Sequence, residues 1–286
     1  MKLWPQRRPI VPLVRLTGPI GLASTIRSGL SMSAIAPALE RAFTMSNTPA
    51  VAVAINSPGG SAVQSHLIYK RIRALAAEHD KRVLVFCEDV AASGGYFLAV
   101  AGDEIYADPS SIVGSIGVIS ASFGLEKLIE RVGITRRVYT AGDNKGSLDP
   151  FLPERADDIE RLKAIQQDVH ATFIAIVKER RGARLKNENG DLFSGAFWSG
   201  PKAVELGLID GLSDPHTRVR DLYGERARLA VVPLGRPWLL GRLRRFPSIG
   251  GVRPRRESDG FAFSPALVDD ALAALEARAL WARFGL

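Results

Sequence analysis

Twice in its first half the chain passes from an apolar strand pattern through a pair of glycines into a helical pattern. No other feature constrains the fold as much. The first passage runs from Val51-Ala52-Val53-Ala54-Ile55 through Asn56-Ser57-Pro58-Gly59-Gly60 into a helix starting near Ser61. The second runs from Val83-Leu84-Val85-Phe86-Cys87 to Ala91-Ala92-Ser93-Gly94-Gly95-Tyr96-Phe97 and a helix over 94–101. Strand and helix patterns go on alternating. Strands are expected at 10–17, 50–56, 82–87, 103–107, 116–120 and 135–140. Helices are expected at 32–44, 61–78, 94–101, 123–132, 154–183, 200–206 and 216–225. Such alternation argues an α/β core with parallel strands. At 286 residues, 46% of them hydrophobic and 24% charged, the chain can bury a large core in one globular domain plus additions.

The second junction carries chemistry. Ser93 stands just after a strand and just before a helix, where backbone N–H groups are unpaired and point at whatever binds. Gly94 and Gly95 after it let another backbone come close. That geometry suits a nucleophile whose attack creates an oxyanion. The Pro58-Gly59-Gly60 turn offers one N–H toward the serine and Gly94 offers a second. Two backbone donors make an oxyanion hole. Lys145 lies farther on, in a polar, glycine-containing loop, Gly142-Asp143-Asn144-Lys145-Gly146-Ser147.

Asn56 to Gly60, Ala92-Ser93-Gly94-Gly95-Tyr96, Gly114-Ser115-Ile116-Gly117-Val118 and the lysine loop ending in Asp149-Pro150-Phe151 occur in that order. The ordered set resembles the signal peptide peptidase A (protease IV) family of serine–lysine peptidases. Phe197-Trp198-Ser199-Gly200 and Ala203 to Asp210 resemble that family's closing segment, so the likeness covers roughly residues 10 to 225. The resemblance implies an α/β fold of the crotonase-like (caseinolytic-protease-like) kind, a β-β-α superhelix present as a single unit with a C-terminal helical extension. It implies Ser93 as nucleophile, Lys145 as general base, and main-chain oxyanion donors at Gly59, Gly60 and Gly94. It assigns Ser115 to orienting the base. It also implies ring- or dome-like homo-oligomers with sites at protomer boundaries, so that Ser93 and Lys145 need not share a chain. The expected reaction is endopeptidase cleavage of unfolded or membrane-derived apolar peptides. Their backbone would pair as an added strand along Gly114, Ile116, Gly117 and Val118.

The physics of the pair stands apart from the family. A serine hydroxyl is a weak nucleophile until a base takes its proton. A lysine is a base only when neutral, and its ordinary pKa of about 10.4 must then be lowered by burial or nearby positive charge. The reading therefore requires Asp143 and Asp149 to point away from Lys145. The four histidines are His66, His79, His170 and His216, and none lies between residues 80 and 169. A Ser-His-Asp triad is disfavoured on chain order but stays open, because triads are set by space. His170 reads as a surface or packing residue of a long helix. The single cysteine, Cys87, allows no intramolecular disulfide and reads as a buried thiol. No metal-site or phosphate-loop pattern appears, and no cofactor is expected. Two rivals remain. One is a crotonase-like acyl-CoA enzyme, for which Glu88 and Asp89 are the nearest acids, though both read as turn caps. The other is a catalytically silent assembly or membrane scaffold.

Residues 1–230 read as the peptidase domain, 231–260 as a basic linker and 261–286 as an amphipathic helix. Ile10 to Leu16 is broken by Pro12 and Arg15 and fits a first strand better than a secretory segment. No run reaches the ~20 apolar residues of a spanning helix. The expected location is therefore cytoplasmic, with peripheral contact at the inner membrane face as a second reading. The net charge is +8, and most of the excess comes from Arg236, Arg242, Arg244, Arg245, Arg253, Arg255 and Arg256, interleaved with Trp238, Leu239 and Phe246. The bland reading is a solvated linker. The sharper one is contact with anionic lipid. Nucleic acid is not an expected partner. From Pro265 to Phe284, Leu267, Ala271, Leu272, Leu275, Ala279, Leu280 and Phe284 recur at helical spacing.

Overall fold

A computed structural model describes residues 8–21, 29–186, 191–234 and 265–286. The arginine-rich segment singled out above lies outside these residues. In chain order the elements are β1 (Ile10–Thr17), α1 (Met32–Thr44), β2 (Ala50–Ser57), α2 (Ala62–Glu78), β3 (Arg82–Ala92), α3 (Gly94–Ala99), β4 (Glu104–Ala107), β5 (Ile112–Gly114), α4 (Glu126–Arg131), α5 (Ala156–Arg181), β6 (Phe197–Ser199), α6 (Gly200–Glu205), β7 (Gly211–Leu212), α7 (Pro215–Tyr223), β8 (Arg228–Val232) and α8 (Pro265–Ala282). The sheet runs β6-β5-β3-β2-β1-β8, with β4 beside β3 and β7 beside β4. Every pairing is parallel except β5 with β6.

The apolar strands divide their side chains between two faces because successive residues point opposite ways. From β2, Val51, Val53 and Ile55 enter the main core with α1, α2 and α3. Ala50, Ala52 and Ala54 face the other side, against Leu84, Phe86 and Val219 of α7. The first two helices are capped as their sequences imply. Ser31 accepts from the Ala34 N–H and Ser61 from the Gln64 N–H.

The expected strand at 82–87 runs on to Ala92. Glu88 and Asp89 therefore lie within it rather than capping a turn, and they bind Arg15 and Asn56 across the sheet. The length lets β3 serve two neighbours in succession on one side. Leu84–Cys87 pairs with β4, and Val90–Ala92 pairs with β5. The strands expected at 116–120 and 135–140 do not form. The ladder ends at Gly114, and every residue from Arg131 to Gly146 is exposed, with no neighbouring strand to pair. Residues 117–155 instead form an arm around α4, which buries none of its residues. The arm is ordered internally. The Leu125 N–H donates to the Pro150 carbonyl at 2.6 Å, and the Arg136 guanidinium stacks on the Phe151 ring at 4.8 Å.

The closing motif is a structural pin. Arg181, at 2% exposure, makes a two-pronged pair with Asp210 at 2.9 and 3.0 Å and donates to the Gly207 carbonyl. The Ile105 N–H donates to the same carboxylate at 2.8 Å, and the Tyr96 hydroxyl donates to the Leu208 carbonyl at 2.7 Å. This ties the end of α5 and the turn after α6 to β4 and α3.

Candidate active site

Ser93 is placed by the end of β3 and the start of α3, in a conformation that side-chain-bearing residues rarely hold (φ 53°, ψ −121°). Such a backbone costs on the order of 1–3 kcal/mol and persists only where its surroundings hold it. Its N–H donates to the Gly114 carbonyl at 2.8 Å, and its carbonyl accepts from the Phe97 N–H at 2.9 Å. The side chain makes no capping bond, so the hydroxyl is left for other work. At the far end of α3, Arg180 and Arg73 donate to the Val100, Ala101 and Gly102 carbonyls. Asp103 holds both guanidinium groups, at 2.8 and 3.1 Å. The short helix is thus fixed at both ends.

Glycine is needed where the two junctions meet. A Cβ on Gly59 would lie 2.8 Å from both Ser93 Cβ and the Gly94 nitrogen, and φ there is +101°. A Cβ on Gly94 would lie 2.5 Å from Ser65 Oγ. The donors are unequal. The Gly59 N–H already donates to Ser57 Oγ at 3.2 Å. The chain around Gly60 is pinned to Ile20, whose N–H donates to the Gly59 carbonyl and whose carbonyl accepts from the Ser61 N–H, both at 2.8 Å. The N–H groups of Gly60 and Gly94 have no partner among the described residues. Of the three glycines proposed from sequence as oxyanion donors, these two are free to bind.

Ser93 and Gly94 open into a cavity of about 1010 Å³. Ile20, Phe97, Phe173, Val118, Ile119 and Phe123 give it an apolar lining, and Ser61 and Ser65 add hydroxyls. Phe97 of α3 and Phe173 of α5 stack with centroids 4.7 Å apart. Among the described residues, no group of His, Cys, Asp or Glu side chains is arranged to hold a metal. Burial pushes the Cys87 thiol up to about 12, although the Arg181 charge works against this.

Gly114, Ser115, Ile116, Gly117 and Val118 do not form one free edge. β6 already occupies Gly114, paired with Phe197, and the Ser115 N–H donates to the Ala196 carbonyl at 2.7 Å. His170 Nε2 donates to the Ile116 carbonyl at 3.1 Å. An added strand at Gly114 to Ile116 is therefore blocked within this chain, and the wall open to the cavity begins at Gly117 and Val118. Ser115 is 4% exposed with φ 54°, and its hydroxyl has no partner among the described residues.

Lys145 does not reach this cavity in its own chain. It sits in the exposed turn of the arm, and its ammonium makes no hydrogen bond or ion pair with a described residue. Asp149 is engaged elsewhere. Arg136 holds its carboxylate at 2.9 Å, and the Phe151 N–H donates to it. Asp143 makes no pair with the lysine either.

Sequence reasoning passed over Ile20, Ser65, Phe173 and the contact made by His170. His170 and Phe173 are three residues apart on α5 and share a face. That spacing was legible, but the cavity it lines was not. Nor was it legible that Leu275, Glu276, Ala279, Leu280 and Arg283, in and just after α8, would line the same cavity.

Residues 76–227 match the family model for peptidase family S49, and residues 17–113 match the model for Clp protease. Both spans include Ser93. The chain is 55% identical over 282 residues to a Brucella melitensis protein named Na(+)/H(+) antiporter NhaA, a match covering 96% of this chain and 37% of that protein. It is 32% identical over 167 residues to the chloroplastic serine protease SPPA of Arabidopsis thaliana, covering 57% of this chain and 24% of that one. It is 29% identical over 210 residues to protease 4 of Haemophilus influenzae, covering 71% and 33%. The chain thus spans about a third of the length of the Brucella relative.

Proposed function

The chain belongs to peptidase family S49, the family of signal peptide peptidase A, and on that premise we propose that it cleaves apolar peptide segments with Ser93 as nucleophile and Lys145 of a second copy as base. Family membership supports a serine peptidase, and the fold is crotonase-like, of the caseinolytic-protease kind. The observation that carries the reading is the strained Ser93, its hydroxyl uncommitted, beside the unpaired N–H groups of Gly94 and Gly60 at an apolar cavity.

In this reading Ser93 Oγ attacks the scissile carbonyl carbon as its proton passes to the neutral lysine amine. The Gly94 and Gly60 N–H groups hold the oxyanion. The tetrahedral species collapses, the C–N bond breaks, and the lysine returns the proton to the leaving amine. Water, deprotonated by the same lysine, then attacks the acyl carbon, the C–O bond to Ser93 breaks, and the lysine returns that proton to Ser93 Oγ. Ser115, whose hydroxyl is unpartnered, would orient the amine without adding charge. The stacked Phe97 and Phe173 and the Gly117–Val118 wall favour apolar side chains in the bound segment.

A second copy is invoked because one chain leaves Lys145 in solvent and leaves the arm's apolar groups uncovered. Phe123 is 83% and Tyr139 91% exposed, and Leu128, Val132 and Ile134 are each above half. Such a surface marks an interaction site, and covering it would also dry the lysine, which favours the neutral form. The likeness to a protein named an antiporter supports a workplace beside a membrane. No described helix is long and apolar enough to cross one.

The test is cleavage of an apolar peptide by wild type, Ser93→Ala, Lys145→Ala and an equal mixture of the two variants after exchange of copies. Each variant alone is expected to be inactive. The mixture is expected to recover about a quarter of wild-type activity, because random assembly pairs an intact serine with an intact lysine across one boundary in about four. A mixture as dead as its parts, with assembly retained, would place both groups in one chain. Full activity of Lys145→Ala would remove the lysine from the mechanism.

A further inference from the structure

We propose that α8 is a size-selecting roof over the nucleophile's cavity, which admits short apolar segments beneath it and bars longer chains until it lifts. The proposal rests on the reading of that cavity as the peptide site. Two surfaces of the same helical segment support it. Leu275, Ala279 and Leu280 line the same cavity as Ser93, Phe97 and Phe173. The other surface is an anchor outside the cavity. Phe284, 8% exposed, packs with Trp281 against Val90, Ala92 and Ile112. Its ring meets Phe197 edge-on at 5.1 Å.

The anchor grips the strand that delivers the nucleophile. Along β3, Ala91 faces the main core, whereas Val90 and Ala92 face the other side and hold Phe284. Ala92 directly precedes Ser93. Among the described side chains of the helix, Ala274, Leu275, Glu276, Arg278 and Ala279 are exposed. Leu275 remains 63% exposed although it lines the cavity. A segment whose described side chains are largely exposed opens at low cost compared with the core. The space left beneath it, about 1010 Å³, is at the upper end of what a drug-sized ligand fills. That volume suits a few residues of extended peptide.

If the long-peptide site exists only with the roof lifted, its apparent affinity is the intrinsic one reduced by the open fraction. Loosening the anchor should then tighten binding of long peptides and leave short ones alone. The experiment measures fluorescence anisotropy of two labelled apolar peptides, one of three residues and one of about twenty sharing the same core. Both are titrated into Ser93→Ala protein so that nothing is cleaved. Phe284→Ala and Trp281→Ala are each added to that background, with melting temperatures confirming that the main core is intact. Neither residue lines the cavity.

The expected result in both anchor variants is a Kd for the long peptide lower by about tenfold or more, with the short peptide within about twofold. An unchanged or weaker long-peptide Kd overturns the proposal, the weaker value showing that α8 is a wall of the site and not a barrier to it. Absence of binding by either peptide in every form also overturns it. Cleavage is scored separately in Ser93-intact protein. Tightened binding with no hydrolysis by any form would leave the roof standing and remove the peptidase mechanism, while hydrolysis with an indifferent anchor would do the reverse.

Discussion

Gly59→Ala should separate the chemistry of the site from the stability of the fold. The added methyl would lie 2.8 Å from Ser93 Cβ and from the Gly94 nitrogen. Ordinary carbon–carbon contact begins near ~3.5 Å, so either the turn or the nucleophile must move by about 0.7 Å. In the proposed mechanism the two groups displaced are those that attack and that bind the oxyanion. Misplacement on this scale, or loss of one oxyanion donor, costs about 10²–10³ in rate, or roughly 3–4 kcal/mol of transition-state stabilisation. The backbone adds a second cost, because φ at Gly59 is +101°. Gly224 isolates that cost. It ends α7, far along the chain from the site, with φ +89° and nothing within 4 Å of where a Cβ would stand. Both alanine variants should lose roughly 1–3 kcal/mol of stability in chemical denaturation. Only Gly59→Ala should lose peptide hydrolysis and fluorophosphonate labelling of Ser93, each followed well below its own unfolding midpoint. Gly59→Ala activity within about tenfold of Gly224→Ala would mean that this turn does not press on the nucleophile in the working enzyme.

Two further outcomes follow from buried groups. Burial alone would raise the Asp210 carboxyl, but the Arg181 hydrogen bonds and charge and the Ile105 N–H outweigh it and hold the group below the ordinary carboxylate range. Its stabilisation is therefore complete above the ordinary value and lost as pH falls through the lowered one. Asp210→Asn should cost about 3–5 kcal/mol at neutral pH, since Arg181 is left buried without its counter-charge. It should also flatten the loss of stability that wild type shows in urea denaturation from about pH 5 downward. Cys87, buried and pushed up to about 12, should resist iodoacetamide at pH 8 in the native protein and react once the chain is unfolded, and rapid native labelling would contradict its burial in the main core.

The parts of this fold that were legible in sequence are those whose partners lie next to them in the chain. The helices starting at Met32 and Ala62 have serine caps and apolar faces that repeat locally, and the strand–glycine–helix junctions at Gly59 and Ser93 announce themselves by residue type. Legibility fails where pairing decides. Ile116 to Ser120 and Thr135 to Thr140 have strand-like side chains, yet no strand lies beside them, so the propensity goes unused. Phe197 to Ser199 became a strand because Gly114 needed a neighbour, and three residues carry no period to read. Glu88 and Asp89 read as turn caps, yet Arg15 and Asn56 give them partners inside the sheet. The site divides along the same line. Ser93, Gly60 and Gly94 are set by turns within a few residues and could be named from sequence. The cavity wall supplied by Phe173, His170 and Leu280 depends on two helices arriving from elsewhere. Lys145 is the extreme case. The described residues give its ammonium no partner, and the residues around it are exposed, so no packed neighbour in sequence or fold marks it out. In the proposed mechanism the base must be dry to work, and an arm that one copy leaves wet would be finished by a second surface.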